Sequence, residues 1–172
     1  MTVDCLIDFL ALLFLYLFCC FRRWKAQGGE TLLVNTALYV YLSFVLYFTL
    51  MPIISALPSI FDHPYEMYLI PFDDLINGRG DAVRQVVLNV IMTIPFGFLF
   101  PLTQKRKQGL FLRTLLCVFL LSLCIELVQP LLHGARSCDV TDVITNTAGG
   151  TIGFSFFVLF QPITEAALRR IR

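Results

Sequence analysis

The sequence has little charge and few of the residues that metal and catalytic sites use most often. Only 15% of its 172 residues are charged, and histidine occurs twice. Soluble domains carry about 25% charged residues, so the chain lacks the polar surface of an ordinary cytosolic enzyme. The net charge is +1 and no basic run is interleaved with aromatic residues, which excludes nucleic acid as a partner.

The six cysteines contain no C-x-x-C pair. Five of them lie inside apolar runs, where cysteine packs as a small apolar residue, and only Cys138 lies in a polar segment. This placement excludes a secreted disulfide scaffold and argues against a zinc or redox motif. Glycine-rich phosphate loops and HExxH pairs are also missing, so we expect neither a metal nor a cofactor.

Apolar residues are what the chain has in abundance. They make up 58% of the sequence, phenylalanine occurs 17 times, and the mean hydropathy is +0.78. A membrane-spanning helix needs about 20 mostly apolar residues. We therefore predict an all-α membrane protein with about five transmembrane helices, at Cys5–Phe21, Thr31–Met51, Gln85–Leu102, Leu110–Leu132 and Val140–Phe160.

The basic residues indicate how these helices are oriented. The first apolar run begins with acidic residues and is followed by Arg22, Arg23 and Lys25, which is the reverse of a signal peptide. With the N-terminus outside, ten of the 13 basic residues fall on the inner side, as the positive-inside rule requires. We predict an outside N-terminus, a cytoplasmic C-terminus and one long outer loop at residues 52–84.

Polar residues recur on one face of each of the last three helices. In the fourth helix they are Ser122, Glu126, Gln129 and His133. Their separations of four, three and four residues keep them within an arc of about 60° on the helix surface. The third and fifth helices carry similar rows at a similar depth, about 9 Å below the outer surface. We predict an outward-facing polar pocket. Its candidate ligand-binding residues are Asn89, Glu126, Gln129, Arg136, Asp139, Asp142 and Asn146, with Arg84 and His133 as secondary candidates.

A purely structural role for the same residues stays open. Polar side chains often hold membrane helices together, and Gly149 and Gly153 form a GxxxG pair that favours close helix packing. Asp139 is also well placed to cap the fifth helix. A metal site built from Glu126, His133 and the two aspartates matches no known ligand spacing, so we assign none.

Four segments resemble those of VanZ-like membrane proteins. They are NVIMTIPFGFLFP from Asn89, IELVQ from Ile125, RSCDVTDVITNTAGGTIG from Arg136, and the Leu69–Phe72 segment with its L-x-P-F pattern. Their order and spacing match the family over about residues 40–160. We accordingly divide the chain into an additional N-terminal helix at 1–30 and a VanZ-like helical domain at 31–172.

The resemblance implies a multi-pass protein of the bacterial plasma membrane, typically Gram-positive. The founding member of the family confers resistance to teicoplanin, a lipid-tailed glycopeptide antibiotic. No reaction is established for the family, so the resemblance gives no reason to expect an enzyme. The oligomeric state stays open.

Two classes of function fit these observations best. The first is a binding protein of the cell envelope whose polar pocket takes a membrane lipid headgroup, a lipid-linked wall precursor or the lipoglycopeptide itself. The alternative is an intramembrane enzyme that acts on a lipid-linked envelope substrate, with Glu126 or Asp142 as general base. A transporter fits less well, because the chain has no inverted repeat.

Overall fold

The computed structural model describes residues 3–60, 62, 64–132 and 136–171. Within these ranges, five helices are long and apolar enough to cross a membrane. They are α1 (Val3–Ala26), α2 (Gly29–Thr49), α3 (Ala82–Thr103), α4 (Leu110–Leu132) and α5 (Val140–Arg169). The predicted all-α fold is confirmed, and the chain is a multi-pass membrane protein. Its orientation across the membrane stays a prediction.

Helices α1, α3 and α5 extend further than the apolar runs that predicted them, whereas α2 begins and ends two residues earlier than predicted. Helix α4 has the predicted bounds, whereas α5 continues from Phe160 to Arg169. Its last residues, TEAALR, include Glu165 and Arg169, whose charges end the apolar run. The helix continues through them because Glu, Ala, Leu and Arg have high helix propensity. Helix α1 likewise continues to Ala26, because Arg22 and Lys25 can lay their aliphatic stems on apolar surface while their charges reach water.

Short elements connect the helices at one end of the bundle. They are a 3-10 turn at Leu57–Ser59, strand β1 at Met67–Tyr68, a one-turn helix at Asp73–Ile76 and strand β2 at Cys138–Asp139. The two strands pair in parallel, with Met67 opposite Cys138 and Tyr68 opposite Asp139. We call this end the loop end and the opposite end, which carries most of the lysines and arginines, the basic end.

Helices α3 and α5 pack with their backbones in close contact. A Cβ atom at Gly149 would overlap the carbonyl oxygen of Val90, and one at Gly153 would overlap that of Ile94. Only glycine lets the helices approach this closely, which is how GxxxG faces act in membranes. The α3–α5 contact therefore sets the relative position of the polar side chains on these two helices.

Helix α1 is fastened to the bundle through a buried carboxylate. Asp8 accepts hydrogen bonds from the backbone N–H groups of Ile53 at 2.6 Å and Ile54 at 3.0 Å. The hydroxyl of Tyr39 on α2 donates to the carbonyl of Leu12 at 2.6 Å. These contacts hold α1 against α2 and against the turn that follows α2.

Candidate ligand site at the loop end

Glu126 is a buried carboxylate that holds the start of the last helix. The residue is only 2% exposed, and its Oε2 accepts a hydrogen bond from the backbone N–H of Asp139 at 3.1 Å. The side chain of Asp139 in turn caps α5, because its Oδ1 accepts from the backbone N–H of Thr141 at 2.7 Å. Two of the predicted residues thus meet where α4 faces the beginning of α5.

Asp142 joins α5 to α3 at the same end. Its Oδ2 accepts a hydrogen bond from Nε2 of Gln85 at 3.1 Å, and Asn89 lies nearby on the same face of α3. Asp139, Thr141 and Asp142 line one side of a cleft between α3 and α5. Its volume is about 10 Å³, which is room for about one water molecule.

Asn146 lies deeper and contacts both neighbouring helices. Its Nδ2 donates to the hydroxyl of Ser122 on α4 at 2.8 Å, and its backbone carbonyl accepts from the hydroxyl of Thr93 on α3 at 2.7 Å. Among the described residues, Oδ1 of Asn146 is buried and has no hydrogen-bond partner. An unpaired buried polar atom costs about 1–3 kcal/mol, so this atom favours a water or ligand group as its partner.

Gln129 serves a different contact from the one that the sequence predicts. It is buried, but its Nε2 donates to the carbonyl of Thr49 at the end of α2, at 3.2 Å. The amide therefore connects α4 to α2 rather than to the carboxylates on α5. This geometry corresponds to the structural alternative, in which a polar side chain joins two helices.

The two arginines differ in their relation to the carboxylates. Arg136 is exposed at the loop end. Its positive charge interacts favourably with the carboxylates of Glu126 and Asp142. Arg84 lies 3.7 Å from Asp81, and both side chains are largely in solvent at 75% and 83% exposure. Such a surface pair contributes about 0–1 kcal/mol. His133 lies outside the described residues.

A segment of the long loop between α2 and α3 covers the site, and the sequence did not predict this contact. We call residues 65–72 the cover segment. The hydroxyl of Tyr65 donates to the carbonyl of Leu127 at 3.1 Å, and the carbonyl of Glu66 accepts from the backbone N–H of Cys138 at 3.0 Å. The backbone N–H of Phe72 donates to the hydroxyl of Thr141 at 2.9 Å. These bonds fix the segment to both α4 and α5.

Cys138 lies under the cover segment and is poorly suited to be a nucleophile. Burial raises the pKa of its thiol, and the carboxylates of Glu126, Asp139 and Asp142 raise it further. The thiol is therefore protonated near neutral pH, whereas a reactive cysteine needs a lowered pKa. Within the described residues, no group of three histidine, cysteine, aspartate or glutamate side chains is placed to hold a metal ion.

Comparison with known proteins identifies the family. The family model described as VanZ/LLP1 matches residues 9–161. This chain belongs to the VanZ/LLP1 family. It is also 34% identical over 123 residues to Protein VanZ from Enterococcus faecium, an alignment that covers 71% of each chain. No solved structure matches the chain.

In this VanZ/LLP1-family protein, the four family-like segments meet at the loop end. The segment from Arg136 forms β2, the cap of α5 and the glycine face of α5. The segment from Asn89 forms the facing side of α3, and IELVQ supplies Glu126 and Gln129 from α4. The Leu69–Phe72 segment ends the cover segment. The match to the family model includes residues of α1, while the division of the chain at residue 30 stays a prediction.

Proposed function

We propose that this protein is an integral protein of the bacterial plasma membrane that confers resistance to teicoplanin and related lipoglycopeptides. In this proposal the site at the loop end binds a lipid headgroup, a lipid-linked wall precursor or the drug. The observation that carries it is the unpaired Oδ1 of Asn146, in a side chain only 2% exposed. Asp139 and Asp142 lie above it, toward the loop end of α5.

The depth of the site supports this proposal. Glu126 and Asn146 each lie six residues from the loop end of their helices, which is about 9 Å along the axis. With the predicted orientation, that depth corresponds to the headgroup region of the outer leaflet. Lipid-linked wall precursors and lipid-tailed antibiotics both present polar groups there.

The chemistry of the site favours a ligand with both donors and acidic groups. The carboxylates of Asp142 and Asp139 accept N–H and O–H groups, and Arg136 offers the planar guanidinium that suits a phosphate or carboxylate. The cleft admits about one water molecule, so a headgroup enters only when the cover segment moves away. We propose that the cover segment opens for the ligand and closes over it.

The relatives of the chain support the same conclusion. Membership of the VanZ/LLP1 family rests on most of the chain, and the similar protein from Enterococcus faecium carries the name Protein VanZ. The family-like segments supply the buried polar residues at the loop end. A site that unites these segments is the best candidate for the activity that the family is named for.

A resistance assay with matched variants tests the proposal. The chain is expressed in a susceptible Gram-positive strain, and teicoplanin is titrated against wild type and a Glu126→Gln, Asp142→Asn double variant at equal membrane abundance. Both amides keep an acceptor oxygen for the hydrogen bonds from Asp139 and Gln85. The matched control is Asp62→Asn, Asp81→Asn, which removes two acids that are exposed in the loop between α2 and α3. We expect the first variant to lose resistance and the control to keep it.

Equal resistance in wild type and the site variant would refute a role of this site. The enzyme alternative predicts a further result, because purified protein would then convert a labelled lipid-linked precursor in detergent. Binding of the precursor without conversion supports the binding function. Conversion that the site variant abolishes would favour the enzyme.

A further inference from the structure

The basic end of the bundle carries a dense cluster of positive charge. Nine of the basic residues that the structure describes lie there, against two acids, Glu30 and Glu165. The basic residues are Arg22, Arg23, Lys25, Lys105, Arg106, Lys107, Arg113, Arg169 and Arg170. An excess of this size attracts anionic groups at a membrane surface.

A large cleft opens among these charges. It lies between the first turns of α2, the end of α3 with the connection that follows, and the last turns of α5. Its volume is about 590 Å³, within the range of about 300–1,000 Å³ that is typical of small-molecule sites. Lys105, Lys107 and Arg169 line it from two different parts of the chain, and the acids Glu30 and Glu165 line it as well, so the cations outnumber the acids by three to two.

Asn35 shows that the cleft is polar well inside the span. This residue lies six positions after the start of α2, about 9 Å along the helix, and it lines the cleft. Its side chain is partly exposed, so its amide can donate hydrogen bonds to, and accept them from, a polar occupant of the cleft.

Two further features favour an anionic occupant. Helix α2 begins after Gly28, which provides no side-chain cap, and the N-terminal end of a helix carries a partial positive charge that favours an anion. The ammonium of Lys107 lies 5.5 Å from the ring centroid of Phe157, which holds this charge near the cleft. Oε1 of the acid Glu165 accepts a hydrogen bond from Nε2 of Gln161 at 2.8 Å, one helical turn before it on α5.

The apolar part of the lining favours a lipid over a free ion. Val34 and Leu168 are buried side chains on opposite sides of the cleft, and Leu102 adds a third apolar contact. A small inorganic anion gains nothing from such contacts, whereas a headgroup carries its glycerol and the first carbons of its acyl chains into them. The cleft also lies at the ends of the spans, at the depth of lipid phosphates.

We propose that this cleft binds the phosphate group of a membrane lipid headgroup through Lys105, Lys107 and Arg169. At the bottom of the cleft, the side-chain amide of Asn35 donates hydrogen bonds to the polar part of the headgroup or accepts them from it. In the predicted orientation this lipid belongs to the cytoplasmic leaflet. The site is therefore separate from the one at the loop end and does not depend on the function proposed for it.

Lipid titration of the purified protein tests the proposal. Native mass spectrometry in detergent measures binding of phosphatidylglycerol, with diacylglycerol as the matched lipid without phosphate and inorganic phosphate as the free ion. The cleft variant is Lys105→Gln, Arg169→Gln. The matched control is Arg106→Gln, Arg170→Gln, which removes two charges from the same end outside the cleft lining. Asn35→Leu changes the cleft without changing its charge.

We expect the cleft variant to weaken phosphatidylglycerol binding by about tenfold or more, because it removes two cations that form charge-assisted hydrogen bonds with the phosphate. We expect Asn35→Leu to weaken binding as well, and the control to change it by less than about twofold, since surface charges beyond the site act weakly. Unfolding temperatures establish that all variants are folded.

Three results would overturn the proposal. Equal weakening by the cleft and control variants would mean that diffuse charge attracts the lipid. Equal binding of diacylglycerol would mean that the phosphate is not recognised. Displacement of the lipid by inorganic phosphate at comparable concentrations would assign the cleft to a free phosphate compound.

Discussion

Asn146 and Ser122 form the hydrogen bond that connects α5 to α4 in the interior of the bundle. Nδ2 of Asn146 lies 2.8 Å from the hydroxyl oxygen of Ser122, and both residues are almost completely buried. The backbone carbonyl of the same asparagine also accepts a hydrogen bond from the hydroxyl of Thr93 on α3, so Asn146 connects three helices. Oδ1 of Asn146 has no hydrogen-bond partner among the described residues. This unpaired atom is the reason to regard the site as more than a packing contact.

The first prediction concerns that hydrogen bond. Asn146→Ala should lower the free energy of unfolding in detergent by about 1–2 kcal/mol, because polar contacts between membrane helices contribute on this scale. Ser122→Ala and the double variant complete a double-mutant cycle, measured by thermal unfolding. We expect the two changes to be coupled, and a coupling energy of zero would contradict the contact.

The second prediction concerns the close approach of α3 and α5. Gly153→Ala should destabilise the protein by about 1–3 kcal/mol, as overpacking does, because the added methyl group meets the carbonyl of Ile94. Ala148→Leu is the matched control, since Ala148 lies exposed on the same helix. Unfolding temperatures and gel-filtration profiles measure both. A stable Gly153→Ala protein would show that the helices can separate without cost.

The third prediction uses Cys138 as a reporter of the carboxylates. The experiment uses a variant whose other cysteines are replaced by alanine. Its rate of maleimide labelling should rise at a higher pH than the labelling rate of an ordinary exposed thiol, because burial and three carboxylates raise the pKa of Cys138. Glu126→Gln removes one negative charge, so the midpoint of the rate profile should move to lower pH. Asp81→Asn should leave it unchanged, and an equal shift in that control would exclude a local effect.

The fourth prediction concerns the cover segment. Thr141→Val keeps the shape of the side chain but removes the acceptor for the backbone N–H of Phe72, so amide exchange in the cover segment should accelerate. Thr147→Val is the control, because its hydroxyl donates to the carbonyl of Val143 within α5. Hydrogen–deuterium exchange measures both variants. Unchanged exchange in Thr141→Val would mean that the other bonds suffice to hold the segment.

The sequence predicts the helices well because their signal is local. Apolar length and the spacing of Glu126, Gln129 and Asn146 are properties of single helices, and the structure confirms the all-α membrane fold. Spacing within one helix also places Glu126, Asp142 and Asn146 on buried faces.

The partners of these residues could not be predicted, because they depend on how the helices rotate against one another. Gln129 follows Glu126 on the same face of α4, yet it bonds to Thr49 on α2. The cover segment leaves even less trace, since a strand of two residues has no recognisable period. Its contact with Cys138 joins residues more than 60 positions apart, a pairing for which one sequence offers no signal.

The hydrogen bonds of Asp8 make the first helix a working part of the bundle. A chain shortened to begin at residue 31 would deprive the amides of Ile53 and Ile54 of their acceptor and would expose the side of α2 that Tyr39 now joins to Leu12. Truncated versions intended for crystallisation, or fusions that replace this helix, would therefore lose the contacts that hold the turn after α2 in place. Keeping Asp8 in place is the safer design.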